Sequence, residues 1–358
     1  MNYFIINIIV SVIFFFLLLG KDIKEKRIIY YLIAFFFILF IGLRGSDDEY
    51  TKSWVFIPTL DLFFVDNMFI GYEKGMIFYF IASTIKTLGF NSQGLLLFFS
   101  FSSILIHVKY YRIFSQYYIL AFLLYISHEI IFHEWTQIRA GLASAMVLPM
   151  IYNLQLGKKK TFFILYIISS LIHYVSIISI LLLFICRPIK TKWLYLGICL
   201  AFVILYSNVV GVLISSLEGA NLLPSRVQLY LGWERHTYAA GLMHPKTFQQ
   251  IITSLFTILL FSRNNNSLLK NTIINTYILS TILQIALNDY SIFAFRSAGH
   301  FYVVEPLIIT YLISFFKEKK LVLSICVIFC IFLSYLNYVK LERLEPYDLF
   351  VNPSSLKW

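Results

Sequence analysis

Charge is what this chain has least of. Only 13% of its 358 residues are Asp, Glu, Lys or Arg, about half the share of a soluble domain, and an ordinary water-soluble fold is excluded. The roughly ten-residue alternation of a membrane β-barrel is missing as well. No Walker A loop, dinucleotide glycine fingerprint or Ser-Asp-Asn signature occurs, so a soluble nucleotide-sugar or ATP site has no support and no cofactor is expected. The four cysteines, at 186, 199, 326 and 330, lie in or beside apolar runs. Free core thiols fit that placement better than a disulfide framework or a zinc site. Neither a Gly/Ser-rich linker nor a repeat of 20–50 residues divides the chain, and residues 1–358 are expected to form one domain.

What is present is apolar length. Hydrophobic residues make up 59% and aromatics 18%, in runs long enough to cross a core about 30 Å thick. The first run, 3–20, is followed by KDIKEKR rather than a small-residue cleavage site, which predicts a retained helix. Further spans are expected at 28–43, 93–112, 117–132, 138–156, 192–216, 247–262, 270–287, 300–316 and 321–338. The fold class is therefore all-α, a polytopic integral membrane protein with about ten transmembrane helices. Segments 75–89, which carries Lys86, and 161–186 fit no simple span. The formal charge of +11 sits in short inter-helix loops and argues for a membrane orientation signal, not for nucleic acid.

Six basic clusters occur: KDIKEKR, KYYR, GKKK, RPIKTK, RNNNSLLK and KEKK. Placed together on the cytoplasmic side, they collect 17 Lys/Arg and 3 Asp/Glu, leaving 12 and 15 outside. That is the positive-inside pattern. It requires 75–89 and 161–186 to be re-entrant or half-helix segments, the second bending near His173. Non-helical backbone at that depth survives only when buried in protein or lining a wet cavity. The outer loops are then 44–74, 217–246 and 288–299.

Arg139 and His173 interrupt apolar segments, where an ionisable group costs roughly 2.5–3.5 kcal/mol on insertion scales. Arg139 precedes AGLASA, whose small residues admit a neighbouring backbone; it fits either a diphosphate clamp or snorkelling to the interface. His173, flanked by Ser169, Ser170 and Ser176, fits either a structural histidine or a general base. In HEIIFHEWTQIR, five steps of about 100° put His128 and His133 about 140° apart on an α-helix, unlike a zinc-binding i, i+4 pair, and no metal is expected. His133, Glu134, Gln137 and Arg139 gather at the outer ends of two helices. RGSDDEYTKSW places Arg44 beside Asp47, Asp48 and Tyr50, and GYEKG adds Glu73. Arg226, the WERH run at 233–236 and His244 mark the next outer loop, and Trp233 and Tyr238 could stack on sugars or anchor the interface. Asp289, Tyr290, Arg296 and His300 follow.

With LRGSDDEY, GYEKG, QIRAGLASA, the KKK-to-SSLIHYVS stretch and FAFRSAGHFYVVEP in this order, the chain resembles the EpsG/Wzy family of bacterial O-antigen and exopolysaccharide polymerases over nearly its whole length. Family members often place a tyrosine four residues after a Gly-x-Asp aspartate. Here Asp47 and Tyr50 are three apart, so Asp47 and Asp48 both stand as counterparts. The resemblance implies a glycosyltransferase of the bacterial inner membrane that joins oligosaccharide repeat units carried on undecaprenyl diphosphate, with its active site facing the periplasm. Its partners would be that lipid-linked substrate, membrane lipid and a chain-length regulator, with no nucleic acid.

On this reading Arg139 and Arg296, with Arg44, neutralise the diphosphate. His173 takes the acceptor proton, with Glu134 or Asp48 as alternatives. Asp47, Tyr50, Glu73, His133 and Arg226 complete the substrate-binding set. An O-antigen ligase would share the donor chemistry but usually exposes a larger outer loop than the roughly thirty residues at 217–246. A flippase would show broken helices in matching places of two halves, whereas both expected breaks fall in the first half. A scaffold would need no convergent titratable groups.

Overall fold

The computed structural model describes residues 3–19, 24–44, 53–66, 75–220, 222, 228, 241–261 and 267–342. Among them every regular element is helical, with no strand. The chain begins with α1 (Tyr3–Leu19), α2 (Lys24–Gly42), a short α3 (Leu60–Asp66), α4 (Met76–Thr87), α5 (Ser92–Phe114) and α6 (Tyr118–Leu124). Two consecutive π turns, Tyr125–Glu129 and Ile131–Trp135, lead to α7 (Ile138–Ala145), α8 (Val147–Gln155) and α9 (Lys159–Ile172). A 3-10 stretch, Tyr174–Leu181, runs into α10 (Leu182–Ile185). Then follow α11 (Thr191–Tyr206), α12 (Val209–Gly219), α13 (Pro245–Phe261), α14 (Leu268–Ala286), α15 (Ser291–Tyr302), α16 (Glu305–Ile313) and α17 (Lys319–Glu342).

Local chemistry explains the firmest boundaries. The Asn91 side chain accepts from the Gly94 N–H at the start of α5, and the Ser267 hydroxyl accepts from the Lys270 N–H at the start of α14; both are N-caps. Pro245 opens α13 at a position where its missing donor costs nothing.

Fewer helices run unbroken than hydropathy predicts. By length and composition, α5 and Lys319–Asn337 of α17 can each cross a membrane, and the count rises to four if α11 with α12 (bent 55°) and α15 with α16 (bent 54°) are taken as bent spans. The described residues therefore do not supply about ten continuous spans. Apolar length is legible in hydropathy, but a break such as Asn208, in the left-handed region at φ 51°, is not. These breaks also remove the argument that interruptions are confined to the first half. Most of the expected outer loop 288–299 is helical too. Arg296 and His300 lower the hydropathy of α15, while Ala294, Ala298 and Phe301 still bury one face.

The chain packs as two compact units. The first comprises Met1–Met150, Lys159–Ile177 and Ile309–Trp358. In it α2 lies along α5, α1 along α17, and α7 against α5 and α9. The Tyr30 hydroxyl donates to the Val108 carbonyl at 3.1 Å, and Ser100 to Ile38 at 3.2 Å. Phe16, Leu32, Phe35, Ile328 and Phe332 are exposed on the same unit, an apolar surface that suits lipid and not water. The second unit, Ile151–Lys158 and Ile178–Ile308, is built on α14, against which α11, α13 and α15 pack. Its contacts are hydroxyl and amide bonds: Gln250 to Ser280 at 3.2 Å, Ser254 with Thr281 at 2.7 Å, Gln284 to Thr247 at 3.1 Å, and Ser280 to the Ala298 carbonyl at 2.8 Å. Such bonds join helices where lipid offers no hydrophobic drive between them.

Candidate functional site

The π turns decide the geometry of the first unit. The N–H of Ile130 donates to Tyr125 and that of Thr136 to Ile131, each bond spanning five residues. Wider turns of this kind bring residues five apart toward one side. His128 and His133 therefore both reach Glu129, at 3.6 and 2.9 Å, and the 140° separation expected for an α-helix does not apply. π turns recur at functional sites.

Glu134 is fully buried in the second π turn, beyond the apolar run 117–132. Its Oε1 accepts from the Ser103 hydroxyl at 2.7 Å and the Tyr125 hydroxyl at 3.0 Å. Oε2 has no hydrogen-bond partner among the described residues. Burial pushes the carboxyl up to about 7, against the opposing pull of Ser103, His133, Tyr125 and Arg44. Arg44 is itself 1% exposed. Its guanidinium donates to the Ile41 and Glu134 carbonyls, both at 3.1 Å, and to the Trp135 carbonyl at 2.8 Å, and it lies 5.3 Å from the Trp135 ring centre. Those bonds tie Arg44 to the π-turn backbone.

Three helix ends meet beside this turn. Arg139 opens α7 and lies over the Phe78 ring of α4 at 5.1 Å. Gly141 faces the π turn so closely that a Cβ would sit 2.8 Å from the His133 carbonyl and 2.9 Å from Glu134 Oε1. Gly75, at φ 100° where other residues are strained, caps α4, and a Cβ there would collide with the Ile172 carbonyl at the end of α9. His173 is the next residue, half-buried at the break between α9 and the 3-10 stretch. The expected bend thus has its break at His173, whose N–H still donates to Ser169 at 2.9 Å. Ser169 in turn donates to the Ala143 carbonyl of α7 at 3.1 Å. The first unit therefore holds Arg44, His133, Glu134, Arg139 and His173, drawn from three of the sequence blocks.

Arg296 belongs to the second unit, half-buried on α15. Asp47, Asp48, Tyr50, Glu73 and Arg226, with Trp233 and Tyr238, lie outside the described residues. The second unit also assembles His300, singled out in the sequence, with groups that sequence reasoning missed. Buried Glu305 accepts from Gln249 at 2.8 Å and from Tyr277 at 3.4 Å. The Lys246 ammonium sits 3.7 Å from the Tyr302 ring centre, and His300 Nε2 pairs with the Ser179 hydroxyl at 2.6 Å. The one available signal was Glu305, a carboxylate standing inside an apolar run.

Comparison with known proteins supports the family that the sequence resembles. The amylovoran biosynthesis protein AmsC of Erwinia amylovora is 25% identical over 338 residues, covering 89% of this chain and 88% of its own. No solved structure matches the chain. The EpsG family profile matches residues 27–350, a stretch that holds the π turns, the three converging helix ends and α15, and the chain belongs to the EpsG family.

Proposed function

We propose that this chain polymerises oligosaccharide repeat units carried on undecaprenyl diphosphate at the periplasmic face of the inner membrane. Membership of the EpsG family and the likeness to an amylovoran biosynthesis protein support a role in exopolysaccharide polymerisation. The donor, the orientation and about ten membrane passes, several of them broken, belong to the proposal. In the reaction, the bond from the sugar C1 to the lipid diphosphate breaks. The acceptor hydroxyl oxygen takes its place, and its proton passes to a base.

The observation that carries this reading is the meeting of Arg139 with the ends of α4 and α9 beside the Glu134 turn. Arg139, at the N-terminus of α7 where helix partial charge also favours an anion, neutralises the leaving diphosphate. His173 is the first choice of base, since it is half-buried at a break while Glu134 is sealed. Glu134 and Arg44 position the turn from which Arg139 emerges. Asp47, Asp48, Tyr50, Glu73, His133 and Arg226 contribute to sugar binding.

The test is the glycan ladder of a deletion strain complemented with R139A or H173A at equal protein level. Polymer is expected to fall to single-repeat product, and an unchanged chain-length distribution would sink the assignment. A second reading, a flippase for the lipid-linked unit, draws on the broken pairs α11–α12 and α15–α16. It requires the deletion strain to lose the single-repeat product as well.

A further inference from the structure

A cleft of about 740 Å³ lies within the second unit, between the 185–194 segment and α14. One side carries Arg187, Lys190, Lys192 and Trp193, and the other the apolar side chains of Ile278, Leu279 and Ile282. None of the residues assigned to the polymerase reaction lines it. We propose that this cleft is a binding site for the headgroup of an anionic phospholipid, with the start of its acyl chains laid along α14.

The backbone builds the cleft deliberately. The Asn275 amide donates to the Ile185 carbonyl at 2.9 Å and to the Arg187 carbonyl at 2.8 Å, pinning the basic loop to the middle of α14. One turn beyond Trp193, α11 and α14 close: a Cβ on Gly197 would lie 2.8 Å from Ile282 Cδ1.

The charge on this rim is not answered from within. No Asp or Glu occurs between Glu134 and Glu218, and none occurs in α14. Among the described residues, none of the three cations has a carboxylate partner. Lys192 lies over the Trp193 ring at 5.5 Å, and Trp193 is exposed, as an aromatic at headgroup level is. A free phosphate would use the cations and leave the Trp193 and α14 wall idle; an anionic lipid uses both. The loop is one of the basic clusters that the charge pattern assigns to the inner leaflet, where anionic lipids attract such segments.

Purified full-length chain in nonionic detergent, offered equal phosphatidylglycerol and phosphatidylcholine and read by native mass spectrometry, tests the site. Phosphatidylglycerol adducts are expected to predominate. R187Q/K190Q/K192Q should weaken them about five-fold per charge, on the order of a hundred-fold in all. K317Q/K319Q/K320Q removes the same charge elsewhere and should leave them unchanged. L279W, which fills the cleft with every charge intact, should also weaken them, provided that it elutes as a single species. Equal binding of both lipids, or equal loss in the two triple variants, would overturn the proposal. So would displacement by millimolar inorganic phosphate with L279W unaffected, which marks an anion site without a lipid.

Discussion

The two units hold their polar groups in opposite ways. In the first, a buried arginine and a buried carboxylate lock an irregular turn, with Arg44 spent on backbone carbonyls and Glu134 on two hydroxyls. In the second, α13, α14 and α15 are joined mostly by neutral bonds among Gln, Ser and Thr on regular backbone, with buried Glu305 the exception. Neutral pairs between membrane helices contribute modestly, about 0.6 kcal/mol each. A buried guanidinium that loses its role leaves carbonyls unsatisfied at roughly 1–3 kcal/mol each. The contrast separates a region built to hold one geometry from a region built to hold together.

Breaking the first unit should therefore cost most. Arg44→Met takes the guanidinium from the Glu134 and Trp135 carbonyls, while Ile41 keeps the residue-44 N–H, and should destabilise the protein by roughly 2–6 kcal/mol, with loss of polymer. Its thermal midpoint in detergent checks this, and a wild-type midpoint would refute it. Gly75→Ala meets both a positive φ and the Ile172 carbonyl, and a loss of about 2 kcal/mol is expected, combining positive-φ strain with the clash. Polymer from G75A should shorten even where protein level is kept.

The Glu134 carboxyl sharpens the comparison through pH. Its pKa rises from 4.5 unfolded to about 7 folded, so the folded state binds the proton more tightly. The stability this contributes is fully present below pH 4.5 and lost as pH rises through about 7. Glu134→Gln keeps the neutral form, so its thermal midpoint should vary less between pH 5 and 8 than that of the wild type. Equal slopes would show that this carboxyl does not titrate there. The smallest effects belong to the second unit: Ser254→Ala and Gln250→Ala should each cost about 0.6 kcal/mol and leave the glycan ladder intact.

Much of this was legible in the sequence. Apolar runs gave an all-helical membrane chain, topology from loop charge required an interruption near His173, and the order of five blocks pointed to the family. The convergence of Gly75, Arg139 and Ile172 depended on tertiary packing, to which no local pattern speaks. Reading HEIIFHEW at 100° per residue failed because π turns carry no composition signal of their own. Arg44 resembled a ligand-binding arginine because a sequence does not reveal which carbonyls will need a donor. Glu305 and Gln249 were passed over because they are 56 positions apart and share no motif.

The paired π turns also bear on how this chain tolerates a change of length. A wide turn lodges a residue that an α-helix would carry into its next turn, so everything after Trp135 is phased by that surplus. Deleting a single residue from either turn would let that turn close as ordinary helix with better backbone bonds. Because the residue lost is the surplus one, Arg139 would keep its aim at the ring of Phe78, whereas closing a turn without a deletion would swing it by about 100° about the axis. In this segment a chain one residue shorter is easier to coil and still aims its arginine, so a deletion that spares Tyr125 and Glu134 should disturb Arg139 less than one in an unbroken helix.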